Sequence, residues 1–101
     1  MFVVLLSYTK PLEAVDALVP AHRDYLRQMY RSGTFLLSGR REPRDGGVIL
    51  ANASSLQELQ AALAPDPFHV HGVATYQVIQ FVPTMAAPAL QSLVAARHDH
   101  E

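Results

Sequence analysis

The chain has no cysteine, which removes a disulfide framework, thiol catalysis and any cysteine-ligated metal centre together. Charge is scarce as well: eight basic and nine acidic residues, 17% of the chain, leave a formal net charge of -1. With neither sign dominant there is no overall field to draw in a phosphate backbone, so nucleic acid is not an expected partner. Long apolar runs are also missing. Phe2-Val3-Val4-Leu5-Leu6 is too short, and lacks the basic lead-in, for a signal sequence or a membrane span, and a cytoplasmic location is the default expectation. What the chain has in quantity is core material. Half of its 101 residues are hydrophobic, and a domain of this length buries roughly 65% of its unfolded surface. The apolar surplus points to an interface.

Taken in order, residues 2–8 read as a strand covered on both sides, with Phe2, Val4, Leu6 and Tyr8 on one face and Val3 and Leu5 on the other. Lys10-Pro11 breaks it. Residues 12–18 form a short helical turn, and Pro20 predicts a restart near Val19, because proline suits the first turn of a helix better than its interior. The longer helix ends at Ser32-Gly33. Residues 35–39 are a second strand, and Asp45-Gly46-Gly47 signals a hairpin into a third over residues 48–51. Ser55 and Glu58 fit a capping box ahead of Leu56, Leu59 and Leu63, the stripe of the second helix. Pro65 and Pro67 fix the backbone on both sides of Asp66. Residues 74–82 are the last strand, residues 86–97 a C-terminal helical tail, and residues 98–101 fray. The domain is expected over residues 1–97.

This order is the split βαβ pattern of a ferredoxin-like α+β sandwich, β-α-β-β-α-β, with a four-stranded antiparallel sheet. Two helices cover only one face of such a sheet, while several strands are apolar on both. The second face therefore calls for a partner, most simply a copy of the same chain in a two-fold homodimer.

One ionisable residue interrupts the apolar side of the longer helix. At about 100° per residue Val15, Leu18, Val19, Leu26 and Met29 share an arc with His22 near its middle, while Arg23, Asp24, Arg27, Gln28 and Arg31 fall opposite. Two readings are open: a core imidazole satisfied by its neighbours, or an imidazole at the floor of a pocket, where modest changes of environment move its titration across neutral pH.

In their order and spacing, His22 in the first long helix, Leu36-Leu37-Ser38-Gly39 at the end of the second strand, Asp45-Gly46-Gly47, and Asp66-Pro67-Phe68 followed by Gly72 resemble the YCII-related (YciI-like) family. Many members have proline after the strand-end glycine, where this chain has Arg40. The resemblance covers residues 1–97 and implies a dimeric α/β barrel with a histidine-aspartate pair in a cleft, at positions matching His22 and Asp66. A carboxylate on one imidazole nitrogen would fix the tautomer and leave the other nitrogen to take a proton.

Around that pair, Ser38 offers a hydroxyl to a substrate oxygen, Gly39 a backbone that lets a ligand approach, and Tyr8 and Tyr76 phenolic hydroxyls. Arg40 or Arg41 offers a guanidinium to a carboxylate or phenolate. Phe68 and His71 flank the acid and complete the expected substrate contacts. His69 and His71 would share a side on a strand but lack a third ligand, as do His98 and His100, so no metal is expected. The functional expectation is a cofactor-free enzyme of the lyase or isomerase type acting on a small organic molecule, anionic or aromatic. The alternative is a non-catalytic dimeric module that binds a small ligand or a protein.

Overall fold

Four strands make one antiparallel sheet, and the alternation of their side chains decides where the core lies. In the computed structural model, which describes residues 1–94, β1 (Phe2–Tyr8) lies between β3 (Gly46–Ala51) and β4 (Ala74–Gln80). β2 (Phe35–Arg40) flanks β3, giving the order β2-β3-β1-β4. β3 runs antiparallel to both β1 and β2 and separates them, which is the split βαβ arrangement.

Helices α1 (Leu12–Asp16), α2 (Val19–Arg31), α3 (Leu56–Leu63) and α4 (Pro67–Val70) supply the other half of the core. Phe2, Val4 and Leu6 of β1, with Phe35, Ile49 and Ala51, pack against Val15, Tyr25, Leu59, Leu63 and Phe68. Each large side chain so buried is worth about 1.5–3 kcal/mol in transfer free energy. Pro20 sits in the first turn of α2, as its missing N–H predicts. Gly33 follows the helix end, with the amide of Thr34 donating to the carbonyl of Met29 at 3.1 Å. At α3 the Ser55 hydroxyl accepts from the Glu58 amide at 3.0 Å, while the Glu58 carboxylate turns to Ser54, so half of the capping box forms.

The outer face of the sheet is apolar and uncovered. Leu37 is 59% exposed and Ile79 46%, with Val48 and Phe81 also open to solvent. Leu37 reaches that face because β2 is irregular. Phe35 pairs with Ala51 but Leu37 pairs with Leu50, so Leu36 is an extra residue in the ladder. A bulge of this kind reverses the alternation that follows it. Leu37, which would otherwise join Phe35 inside, turns outward, and Ser38, opposite the buried Ile49, turns inward.

The structure corrects the sequence reading at several points. β3 begins two residues before the expected Val48, and its close fit explains why: a Cβ on Gly46 would lie 1.8 Å from the Leu6 carbonyl oxygen, so only glycine lets the strands meet there. β4 ends at Gln80 rather than Val82: the Phe81 amide makes a last bond, to the Met1 carbonyl at 2.9 Å, before the chain turns off toward Pro83. The expected helical tail is a 3-10 helix at Pro88–Leu93; the part expected over residues 95–97, the fraying expected for residues 98–101, and His98 and His100 lie outside the described residues. Among the described residues no helix is long and apolar enough to cross a membrane.

Candidate functional site

Asp66 joins the two halves of the site. The prolines on either side limit its backbone, and Pro67 takes the first helical position of α4, where it needs no hydrogen-bond partner. Asp66 is therefore the N-cap: its Oδ1 accepts from the Phe68 amide at 3.0 Å. The same oxygen accepts from His22 Nδ1 at 2.7 Å, and Oδ2 accepts from the Tyr76 hydroxyl at 2.5 Å. The side chain is 0% exposed, and a buried carboxylate is tolerable only with such a set of donors. At the other end of α4, Gly72 at φ 65° lets the amide of Val73 donate to the Phe68 carbonyl at 3.0 Å and turns the chain into β4, which carries Tyr76.

His22 reaches this acid from the first turn of α2, 44 positions away in sequence. Its ring lies flat on Phe68, with centroids 3.9 Å apart and planes 7° from parallel. An ionised carboxylate only accepts, so Nδ1 carries the bridging proton, and in the neutral form of the ring the lone pair is on Nε2. No buried side-chain nitrogen or oxygen among the described residues lacks a partner. Nε2 has none, so it belongs to the accessible part of the ring, whose side chain is 13% exposed.

That exposed part lines a cavity of about 490 Å³ at the end of the sheet where β1 and β2 finish and β3 starts. Leu6, Val19, Leu26, Ile49 and Phe68 form its apolar wall. Tyr8, Ser38, Arg23, Arg40 and Arg44 supply polar groups, and the glycines 39, 46 and 47 supply backbone. The volume falls in the range of small-molecule sites.

Of the residues expected at the site, Tyr8, His22, Ser38, Gly39, Arg40 and Phe68 meet at this cavity. Tyr8 contacts Phe68 edge to face at 5.9 Å, and Ser38 shares a short hydroxyl contact with Tyr30. Arg40 is held by Glu42 at 3.0 Å, and Arg41, away from the cavity, contacts Ser7 at 3.2 Å and Asp45 at 3.5 Å. His71 is exposed and does not line the cavity. The expected strand geometry for His69 and His71 does not form, because residues 67–70 are helical; His69 Nδ1 instead lies 3.2 Å from the Ala64 carbonyl. Among the described residues no group of three or more histidine or acidic side chains is placed to hold a metal.

Two participants, Arg23 and Tyr25, escaped the sequence reading. Arg23 lines the cavity although it was not marked as a site residue, and so does Arg44, which ends the basic run 40–44 that reads from sequence as an edge for a small anion. Arg44 is tied to Asp16, which holds the Asp16 carboxyl below the usual carboxylate range. Tyr25 is the buried residue of α2, with its hydroxyl donating to the Ala62 carbonyl at 2.7 Å. Burial first, then the nearby Asp66 charge, pushes the Tyr25 phenol well above its ordinary value. Tyr76 is pushed up in the same way, by burial, by its hydrogen bond to Asp66 and by that residue's charge. Both hydroxyls therefore remain protonated donors at neutral pH.

These features define a class: a ferredoxin-like α+β domain with an aspartate-anchored imidazole beside a small cavity of mixed apolar and basic lining. The chain belongs to the YCII-related domain family, which it matches over residues 1–82. It is similar in fold to 5-chloro-2-hydroxyhydroquinone dehydrochlorinase from Burkholderia phenoliruptrix, solved in complex with 2,5-dihydroxybenzoquinone. The two are 18% identical, with a TM-score of 0.67 over 80% of this chain and 93% of that one. No curated protein sequence matches the chain closely.

Proposed function

We propose that the protein is a cofactor-free enzyme of the lyase or isomerase type, in which His22 moves a proton and Asp66 orients it. The observation that carries this reading is the 2.7 Å contact between His22 Nδ1 and a fully buried carboxylate, with Nε2 left accessible at a cavity. Nε2 takes a proton from an acidic C–H of the substrate, and Asp66 stabilises the imidazolium that results. In a lyase the C–H electrons become a new double bond while a group on the neighbouring carbon leaves with its own pair. In an isomerase they pass into an enolate, and the proton returns at another carbon. Positioned general-base help of this kind contributes typically about 100-fold to 10,000-fold in rate.

The cavity volume and an apolar wall that includes Leu6, Val19, Leu26 and Ile49 suit a one-ring or keto-acid molecule. The fold likeness to a dehydrochlorinase that holds a dihydroxybenzoquinone supports the same class. Ser38 and Tyr8 are the neutral hydroxyls available to substrate oxygens. A homodimer through the outer face of the sheet is part of the proposal, since a second copy would cover Leu37, Val48 and Ile79, which are otherwise exposed.

The test is turnover of a panel of halogenated or hydroxylated one-ring compounds and keto acids. His22→Ala and Asp66→Asn are expected to abolish it while the far-UV circular dichroism stays native. Undiminished turnover in either variant would overturn the assignment, and tight binding without product across the whole panel would favour the ligand-binding module instead.

A further inference from the structure

The cavity wall is lopsided in charge. It holds three arginines and the His22 imidazole and, among the described residues, no aspartate or glutamate, in a chain whose formal net charge is -1. The three arginines are not equivalent. The Arg40 guanidinium is engaged by Glu42 at 3.0 Å and that of Arg44 by Asp16. Arg23 has no ion-pair or hydrogen-bond partner among the described residues. It is also the next residue after His22 in α2, so the unpaired cation and the imidazole are borne by the same helical turn beside the same cavity.

From this we infer that Arg23 determines substrate class: the cavity takes a small organic anion whose carboxylate or phenolate oxygen binds the Arg23 guanidinium while its apolar body lies against the wall formed by Val19, Leu26 and Ile49. Resting on the proton-transfer reading above, this assigns Arg23 to holding the anion and His22 to the proton. A guanidinium suits the task because it keeps its charge and presents a planar fork that matches two oxygens at once. An apolar pocket around the ring strengthens the attraction by excluding water from one side of the pair. Because Arg40 and Arg44 already have carboxylate partners, an incoming anion would have to displace those partners to use them, whereas Arg23 need only shed water.

The experiment is calorimetric titration of the whole protein with benzoate and with benzamide, which have the same shape and differ in charge. Wild type is expected to prefer benzoate. Arg23→Gln should weaken benzoate roughly 10- to 100-fold, the range for a hydrogen bond to a charged group, and leave benzamide unchanged. Arg23→Lys should restore part of the preference as a point charge. Arg23 is solvent-exposed, so a native circular dichroism spectrum is expected for both variants. Equal affinity of wild type for the two probes, no measurable binding of benzoate at millimolar concentration, or an unchanged preference in Arg23→Gln would overturn the inference. Binding is read without turnover, so a preference that survives in Arg23→Gln refutes the anchor alone, while undiminished turnover in His22→Ala refutes the proton-transfer reading alone.

Discussion

Replacing Asp66 by alanine removes the acceptor of three hydrogen bonds at once, and the size of the loss follows from what each donor can do afterwards. The Phe68 amide loses its cap, a change worth about 1 kcal/mol. The Tyr76 hydroxyl and His22 Nδ1 lose charge-assisted bonds of about 1.5–3 kcal/mol each. Part of that is recovered, because both side chains are only partly buried and can turn toward water. The imidazole, unlike a guanidinium, also has a neutral form, so no obligatory charge is stranded. The folded state is also spared the desolvation of a buried carboxylate. The net expectation is about 3 kcal/mol, at the lower end of what breaking a buried ion pair costs. For a domain of this length that corresponds to a fall in melting temperature of roughly 12–24 °C. Asp66→Asn keeps one acceptor oxygen for the Phe68 amide and His22 Nδ1 and sets an N–H donor against the Tyr76 hydroxyl, which can turn to accept, so about 1 kcal/mol is expected. Urea unfolding followed by far-UV circular dichroism separates the two, provided the m-value is unchanged. An alanine variant within about 0.5 kcal/mol of wild type, or an asparagine variant as damaged as the alanine one, would refute Asp66 as the joint between α2, α4 and β4.

Three further outcomes are expected. Tyr25 and Tyr76 hold their protons above the ordinary phenol value of 10.0 in the folded state, so above that pH the folded chain binds more protons than the unfolded one and stability falls as pH rises. Their stabilising share is complete below about pH 10, and urea midpoints between about pH 9 and pH 11 should fall less steeply in the Tyr25→Phe/Tyr76→Phe double variant; an identical slope would count against it. Gly46→Ala places a Cβ 1.8 Å from backbone that cannot rotate away, whereas the corresponding distance at Gly47 is 3.2 Å. Thermal melts should show a loss of about 3 kcal/mol for the first and under about 1 kcal/mol for the second. Leu37→Glu, on the exposed outer face, should reduce the mass seen by light scattering from dimer to monomer with an unchanged circular dichroism spectrum; a wild-type monomer at tens of micromolar would remove the proposed homodimer.

The sequence carried the element order because the signals were local and repeated. Alternation marked β1, Pro20 marked the start of α2, Ser55 capped α3, and Ser32-Gly33 closed α2. Site geometry was legible only where a residue contradicted its surroundings, as His22 does on an apolar arc. Helix α4 was invisible because four residues give no periodicity, so Asp66 read as an acid fixed between two prolines rather than as a helix cap, and His71 was placed too near the chemistry. Arg23 was set on the solvent side by the same helical wheel that found His22. The wheel separates buried from exposed positions, but it has no term for a cavity opening beside the boundary between them. Tyr25, taken as neither core nor site, is buried through a hydroxyl bonded to Ala62 in another helix, a pairing no local pattern encodes.

The extra residue at Leu36 sets how this cavity can change over generations. Substitutions at Ser38 alter one side chain, and loss of Leu36 itself would leave Leu37 opposite Leu50 and Ser38 opposite Ile49, so neither face would change. Absorbing that residue into the ladder without shortening the strand would instead slide everything after it by one position and exchange the whole end of β2 between faces. Leucine would then enter the cavity where a hydroxyl had been, and the outer surface would lose an apolar group in the same step. Ligand chemistry and self-association are thereby linked through the bulge rather than through residue identity, so a homologue that keeps the strand's length but lacks the bulge should differ in both properties together.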